Sequence, residues 1–432
     1  MGRGSDLVRF VLASYGTRGD IEPCIAIGRA LQRRGHDVRV AVPCNLVGFA
    51  EEAGLPAVAY GPDAREILSD DFLRDFRMNL RRNLWTIWKP IQLLRELWAP
   101  WLRHWQEMSE ALTSVTEGAD LLFTGLVYQE LALNVAEHYE IPLVSMHYFP
   151  IRSYGQLFPG VPAWLARPAM RVYDWWLWRM SKKAEDAQCV ELGLPKTTRP
   201  GPQRIAERGS LEIQAYDEVC FPGIATEWPH MNRQRPFIGP LTMGLTTDAD
   251  DEIASWIGAG SPPICFGFGS MPVTKSPADT VSLISEACAQ LGERALICSG
   301  WADFADVPDS DHVKVVKQAN YAKVFPECRA VVYHGGSGTT GAVLRAGVPA
   351  LVLWTAGDQP YWGAQLKRLK VGATRQFAAT TPESLVADLR EILNPEYAVN
   401  ARELAARMTD SSGSVAKAVE LIEDFARLKS FT

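Results

Sequence analysis

The feature that most constrains this chain is a succession of four segments at its start. An apolar stretch, Leu7–Ser14, meets a glycine-flanked loop, Tyr15–Gly19; an amphipathic stretch, Ile21–Arg34, stops at Gly35; and a second apolar stretch, Val38–Val42, follows. Strand, tight turn, helix and strand in that order make a βαβ unit. The pattern then repeats. Strand-like segments at Asp120–Thr124 and Pro142–His147, separated by helical stretches, predict a parallel sheet covered on both faces.

Around Phe221–Thr247 the alternation gives way to extended chain punctuated by Pro222, Pro229, Pro236 and Pro240. A second alternation opens at Ile264–Gly269 and continues through strands at Ala295–Ser299, Val313–Val316, Ala330–Tyr333 and Ala350–Trp354, with a helical tail over Pro382–Phe431. A chain of 432 residues exceeds what one ordinary core holds. The expected architecture is therefore α/β, with two Rossmann-like doubly wound domains facing across a cleft. The boundaries read as 1–235 for an N-terminal domain, 236–248 for a linker, 249–405 for a C-terminal domain, and 406–432 for a helix crossing back to the first. Such folds bind ligands outside the carboxyl ends of their strands, which directs attention to that cleft.

Composition excludes several alternatives. A formal charge of −6 argues against nucleic acid as the main partner, because binding its phosphates calls for a basic face. The eight cysteines show no C-x-x-C pairing, so they read as reduced core thiols of a reducing compartment rather than as a zinc or redox site. The first residues lack the apolar region of a signal peptide, and the longest uncharged run, Ile253–Thr274, is broken by Pro262, Pro263 and glycines, so no spanning helix is expected.

The strongest chemical signal is Val331-Val-Tyr-His334-Gly335-Gly336-Ser337-Gly338-Thr339-Thr340, followed by Gly347-Val-Pro349 and then Gly357-Asp358-Gln359-Pro360. A buried strand delivers a glycine-rich turn to a helix N-terminus, where free N–H groups and the helix dipole attract an anion such as a diphosphate. Glycines permit close approach of backbone, Ser337 and Thr339 add hydroxyls, and His334 can donate when protonated or in the appropriate tautomer. A glycine-rich turn alone is equally consistent with a tight connection and no ligand. Asp358 and Gln359, about twenty residues on at the end of the next strand, make the larger pattern specific.

That pattern resembles the nucleotide-sugar glycosyltransferases of the GT-B fold, including those acting on glycopeptide antibiotics, sterols and plant metabolites. The resemblance covers essentially the whole chain. It implies that His334, Gly336, Ser337, Gly338 and Thr339 hold donor phosphates, that Asp358 and Gln359 hold sugar hydroxyls, and that Ser270, in Phe266-Gly-Phe-Gly-Ser270-Met271, lies near the diphosphate. Trp301 and Gln318 stand where the family has base-binding loops, and packing or surface roles serve equally for both. No prosthetic group is implied, only a dTDP- or UDP-linked sugar as co-substrate.

Glycoside formation needs a base beside the attacking hydroxyl. The first loop, Ser14-Tyr15-Gly16-Thr17-Arg18-Gly19-Asp20-Ile21-Glu22-Pro23, places Asp20 at a helix start, with Gly16 and Thr17 beside it as acceptor-lining candidates. The alternative for Asp20 is a helix cap alone, and capping lowers a carboxylate pKa, so an apolar pocket would have to oppose it. The loop resembles the T-R-G-D-x-E-P segment of bacterial antibiotic and sterol glycosyltransferases, whose Asp is the proposed base. His147, just after its strand, lines the acceptor site or is a locally satisfied histidine. His36 lies at the opposite strand edge and reads as structural. The strings Asp248-Ala-Asp250 and Asp309-Ser-Asp311 fall in polar loops, and no metal is expected.

Nine of the fourteen tryptophans lie between Trp85 and Trp178, and the segment 74–105 pairs tryptophans with basic residues. Such a segment packs as core and acceptor-pocket wall, and it also suits peripheral contact with an anionic membrane. The stretches Ser14–Pro23, Val42–Leu55 and Gly209–Asp217 look closest to mycobacterial glycosyltransferases of the glycopeptidolipid type. The expectation is an inverting transfer of a hexose, or a deoxyhexose such as rhamnose, to a hydroxyl of a bulky apolar lipopeptide, glycolipid or natural product, in the cytoplasm or at the inner membrane face. A UDP-glucose-dependent sterol or macrolide glucosyltransferase is the alternative enzyme, and a non-catalytic nucleotide-sugar-binding partner the alternative of another class.

Overall fold

The computed structural model describes residues 7–64, 99–155, 161–228, 231, 233–244, 247–267, 269, 277–300 and 312–429. Ser270, Trp301, Asp309–Asp311 and the 74–98 part of the tryptophan-rich segment lie outside them. The chain divides into two compact units, one of Met1–Ala215, Ile224–Ile238 and Ser412–Thr432, the other of Tyr216–Gly223 and Gly239–Ser411.

In the first unit the order is β1 (Arg9–Ala13), α1 (Arg18–Arg33), β2 (Asp37–Val42), α2 (Val47–Glu52), β3 (Ala57–Ala59), α3 (Trp105–Thr116), β4 (Leu121–Thr124), α4 (Gln129–His138), β5 (Leu143–His147), α5 (Ala163–Glu191), α6 (Gly201–Glu207), β6 (Leu211–Gln214) and α7 (Ile224–Glu227). Its sheet is wholly parallel in the order β3-β2-β1-β4-β5-β6. Helices on both faces explain why β4 and β5 are buried at every position and why their sequences are continuous rather than alternating.

In the second unit α8 (Asp250–Gly258) precedes β7 (Ile264–Gly267), α9 (Pro277–Leu291), β8 (Ala295–Cys298), β9 (Val313–Val316), α10 (Tyr321–Val324), β10 (Ala330–Tyr333), α11 (Ser337–Ala346), β11 (Ala350–Trp354), α12 (Gln359–Arg368), β12 (Gly372–Gln376), α13 (Pro382–Ile392) and α14 (Pro395–Ala405). The sheet order β12-β11-β10-β7-β8-β9 is the same topology as the first, read from the other edge. The final helix, α15 (Ser411–Lys429), packs in the first unit, where Glu423 accepts from Arg34 at 3.0 Å and contacts His36 Nε2 at 3.0 Å. His36 is thus a buried anchor for that helix.

Three strands escape the sequence pattern: β3, β6 and β12. All are edge strands. An edge strand is not obliged to be apolar throughout, and β12 reads Gly-Ala-Thr-Arg-Gln.

Candidate active site

In a doubly wound sheet the crevice opens where adjacent strands send their connections in opposite directions, here between β1 and β4 in the first unit and between β7 and β10 in the second. Asp20 follows β1, and His334 with its glycine-rich turn follows β10.

In the first unit the loop after β1 enters α1 three residues earlier than the apolar pattern suggests. The N-cap is Thr17, and Asp20 occupies the third helical position. Its carboxylate reaches back to accept from the Thr17 amide at 2.8 Å and the Thr17 hydroxyl at 3.1 Å. Its carbonyl accepts from Ser14 Oγ at 3.0 Å and from the Tyr148 hydroxyl at 2.8 Å, so the residue is held from both sides. Burial of the carboxyl outweighs the Thr17 bonds and raises the Asp20 pKa to about 6. Gly16 makes that geometry possible. Its φ is +142°, and a Cβ there would stand 2.3 Å from Asp20 Oδ2.

Behind the loop stands an aromatic cluster. The Tyr15 ring lies 5.4 Å from Tyr128 and 6.3 Å from both Tyr60 and Trp101, all near edge-to-face. Tyr128, which follows β4, holds φ +62°, a conformation uncommon for a bulky residue and frequent at functional sites. Beyond it a cavity of about 100 Å3 is lined by Trp101, Trp105, Tyr128, Trp178, Glu130 and Asp174, among others. Burial raises the pKa of Asp174 to about 6.

His147 ends β5 as expected, but its side chain is wholly enclosed. Nδ1 lies 3.1 Å from Gln214 Nε2 and Nε2 lies 3.8 Å from Glu212, which also holds Arg152 and, at 2.9 Å, Arg235. Burial and the Arg152 charge keep the imidazole neutral, well below its usual pKa. Burial would raise the Glu212 pKa, yet the guanidinium charges of Arg152 and Arg235 hold it at about 2. It is the neighbour, Tyr148, that contacts Asp20. Nothing in its local sequence marks it, since the contact spans 128 positions.

In the second unit β10 runs into His334 and α11 begins at Ser337 with Gly336 as N-cap. The first-turn N–H groups of Ser337, Gly338 and Thr339 have no intrahelical carbonyl to bond, and all three residues are half-exposed. The turn is locked beneath them by Tyr333, which donates to Thr340 Oγ1 at 2.8 Å, and by Thr340, which donates to the Gly336 carbonyl at 2.9 Å. A Cβ at Gly336 would come within 2.4 Å of His334 Nε2, and one at Gly269 within 2.8 Å of Cε1, so the imidazole sits in a glycine cradle. Burial lowers the His334 pKa to about 4, against a hydrogen bond to the Gly267 backbone that raises it. The ring is neutral at pH 7, with its buried Nδ1 unpartnered among the described residues.

Asp358 caps α12 and Gln359 is its first residue. Gln359 Oε1 accepts from the Thr355 amide at 2.7 Å, the Thr355 hydroxyl at 3.0 Å and the Ala356 amide at 3.2 Å. Its oxygen is committed to the turn, which leaves the amide NH2 as its outward hydrogen-bonding group. A Cβ on Gly335 would lie 3.1 Å from Gln359 Cβ, so the two motifs pack against each other. Gln318 is exposed two residues beyond β9. Asp250 accepts from Thr247 Oγ1 at 2.6 Å and the Asn320 amide at 3.3 Å, and lies 3.4 Å from Lys323, an arrangement that ties loops together.

Residues 10–119 match the family model described as the glycosyltransferase family 28 N-terminal domain, and residues 281–427 the erythromycin biosynthesis protein CIII-like C-terminal domain. The chain is 58% identical to an uncharacterized glycosyltransferase of Mycobacterium tuberculosis, over 97% of this chain and 99% of that one. It is 27% identical to the vancomycin aglycone glucosyltransferase of Amycolatopsis orientalis, over 95% and 96% of the two chains. Among solved structures, the Streptomyces sp. SF2575 glycosyltransferase SsfS6 complexed with thymidine diphosphate superposes with a TM-score of 0.61 at 21% identity, over 96% of this chain and 99% of that one. Identity of that order over nearly the full length of the mycobacterial relative, carried on two sheets of Rossmann order, makes this chain a member of the GT-B glycosyltransferases, related to those of natural-product biosynthesis.

Proposed function

We propose that the chain transfers a hexose or deoxyhexose from a dTDP- or UDP-sugar to a hydroxyl of a bulky apolar acceptor, with inversion and without a metal. The observation that carries this reading is the environment of Asp20, whose carboxylate is raised to about 6 by burial yet remains ionised at pH 7. In the proposed step Asp20 takes the acceptor proton and the acceptor oxygen bonds the anomeric carbon. The bond from that carbon to the diphosphate breaks, and its electron pair leaves on the diphosphate.

The diphosphate's growing charge is met by the N–H groups of Ser337, Gly338 and Thr339, and by His334 in the tautomer that turns its single N–H from the Gly267 backbone to the phosphate. Asp358 and the Gln359 amide NH2 hold sugar hydroxyls. A thymidine nucleotide is favoured by the SsfS6 complex, and a glucosyl donor by the vancomycin relative. The aromatic cluster around Tyr15, Trp101 and Tyr128 supports an apolar acceptor wall beside Gly16 and Thr17. A cytoplasmic setting is supported by eight free thiols, seven of them buried.

The test pairs two variants. Asp20→Asn should abolish transfer while nucleoside diphosphate affinity is kept, and His334→Ala should weaken that affinity about tenfold, the worth of one hydrogen bond to a charged group. Titration with dTDP, UDP and GDP side by side identifies the base. Normal transfer by Asp20→Asn refutes the assignment of the base, and absence of binding to any nucleotide refutes the transferase reading.

A further inference from the structure

Eleven large hydrophobic side chains are exposed among the described residues, and six of them fall between Val161 and Trp175. They gather at the start of α5, the 29-residue helix Ala163–Glu191. In this first half its inner face is set by Ala166 and Met170, both buried. At 100° per residue the opposite face carries Trp164, Pro168, Val172 and Trp175, whose spacings of four, four and three keep them on one stripe about 16 Å long, with Leu165 beside it. Trp164 is 73% exposed, Val172 65%, Trp175 51% and Leu165 49%.

The charges on this helix are equally one-sided. Arg171, Arg179 and Lys183 share or border the stripe, all are exposed, and none has an ion pair or hydrogen bond among the described residues. Arg167, at one margin, is paired with Glu227 at 2.9 Å. Between Ala163 and Lys183 the single acid is Asp174, which turns inward to line the cavity behind Tyr128. Three unpaired cations thus flank exposed tryptophans on a chain whose net charge is −6.

We propose that this face of α5 is a docking surface for an anionic lipid bilayer, with Trp164, Leu165, Val172 and Trp175 entering the interface and Arg171, Arg179 and Lys183 meeting lipid phosphates. A solvent-exposed tryptophan stripe is unfavourable in water, and an indole ring finds its preferred place at headgroup depth. Unpaired cations along the same stripe favour an anionic lipid surface over a neutral apolar partner. No helix among the described residues is long and apolar enough to cross a membrane, so α5 lies on the surface rather than through it. The surface is independent of the catalytic reading, since none of its residues is assigned to proton transfer or to donor binding.

The experiment is co-sedimentation of the full chain with vesicles of phosphatidylglycerol and phosphatidylcholine in equal parts at low salt, beside pure phosphatidylcholine vesicles. The expected result is binding to the anionic vesicles that falls at least tenfold on neutral ones. The double variant Trp164→Ser/Trp175→Ser should lower the partition at least tenfold. Arg171→Gln/Arg179→Gln/Lys183→Gln should lower it similarly and flatten its salt dependence, with nucleotide affinity unchanged in both. Failure of the parent chain to bind, or equal binding by all three proteins, overturns the proposal. A dimer in light scattering that the tryptophan variant dissociates also overturns it, by assigning the face to a second copy.

Discussion

Replacing Asp20 by Asn should stabilise the protein while removing its activity, and the size of the gain should depend on pH. The folded state raises the Asp20 pKa from 3.8 to about 6 because burial disfavours the charged form. Between those values the folded chain holds a proton that the unfolded chain has released, so stability falls as pH rises through the window. Above it the penalty is complete. At 1.36 kcal/mol per unit the cost reaches about 3 kcal/mol at pH 8, is about 1 kcal/mol at pH 4.5, and vanishes well below pH 3.8. Asparagine is neutral, and its side-chain oxygen can still accept from the Thr17 amide. Urea denaturation of parent and variant at both pH values reads the difference. A variant more stable by about 2–3 kcal/mol at pH 8 and by about 1 kcal/mol at pH 4.5 supports the account. A variant less stable at pH 8, or a gain independent of pH, refutes it. The same samples, assayed for transfer, should show a loss of about 100-fold or more.

The pH profile of kcat/KM should fall below an acid limb near 6, where Asp20 takes up its proton, and a limb near 4 would place the base elsewhere. Gly16→Ala should lower transfer by roughly 10–100-fold without loss of nucleotide affinity, because the new methyl stands 2.3 Å from Asp20 Oδ2 and the carboxylate must move. Glu212→Gln should cost about 3 kcal/mol or more in urea melts, because Arg152 and Arg235 lose the buried charge between them. A neutral outcome there would mean that the two guanidiniums are solvated by other means.

The central strands of both units were legible because a parallel strand covered on both faces has to be apolar at consecutive positions, as Leu121–Thr124 and Leu143–His147 are. The turn from β10 into α11 was legible for a related reason: only glycine tolerates the approach of His334 to position 336. The strand Leu211–Gln214 was not. Glu212 and Gln214 break its apolar run, and they are buried because Arg152, Arg235 and His147 arrive from 60, 23 and 65 or more positions away to satisfy them.

The local sequence alone determined the alternation of strands and helices, the placing of Asp20 at a helix start, and the delivery of a glycine-rich turn to the N-terminus of α11. These depend on residues within a few positions of one another. Tertiary structure alone decided the protonation behaviour. Burial against Tyr148 and the first-unit core raised Asp20 when capping by itself would have lowered it, and enclosure held both His147 and His334 neutral. Desolvation is a property of everything packed around a group, and the residues that exclude the water come from elements far apart in the chain.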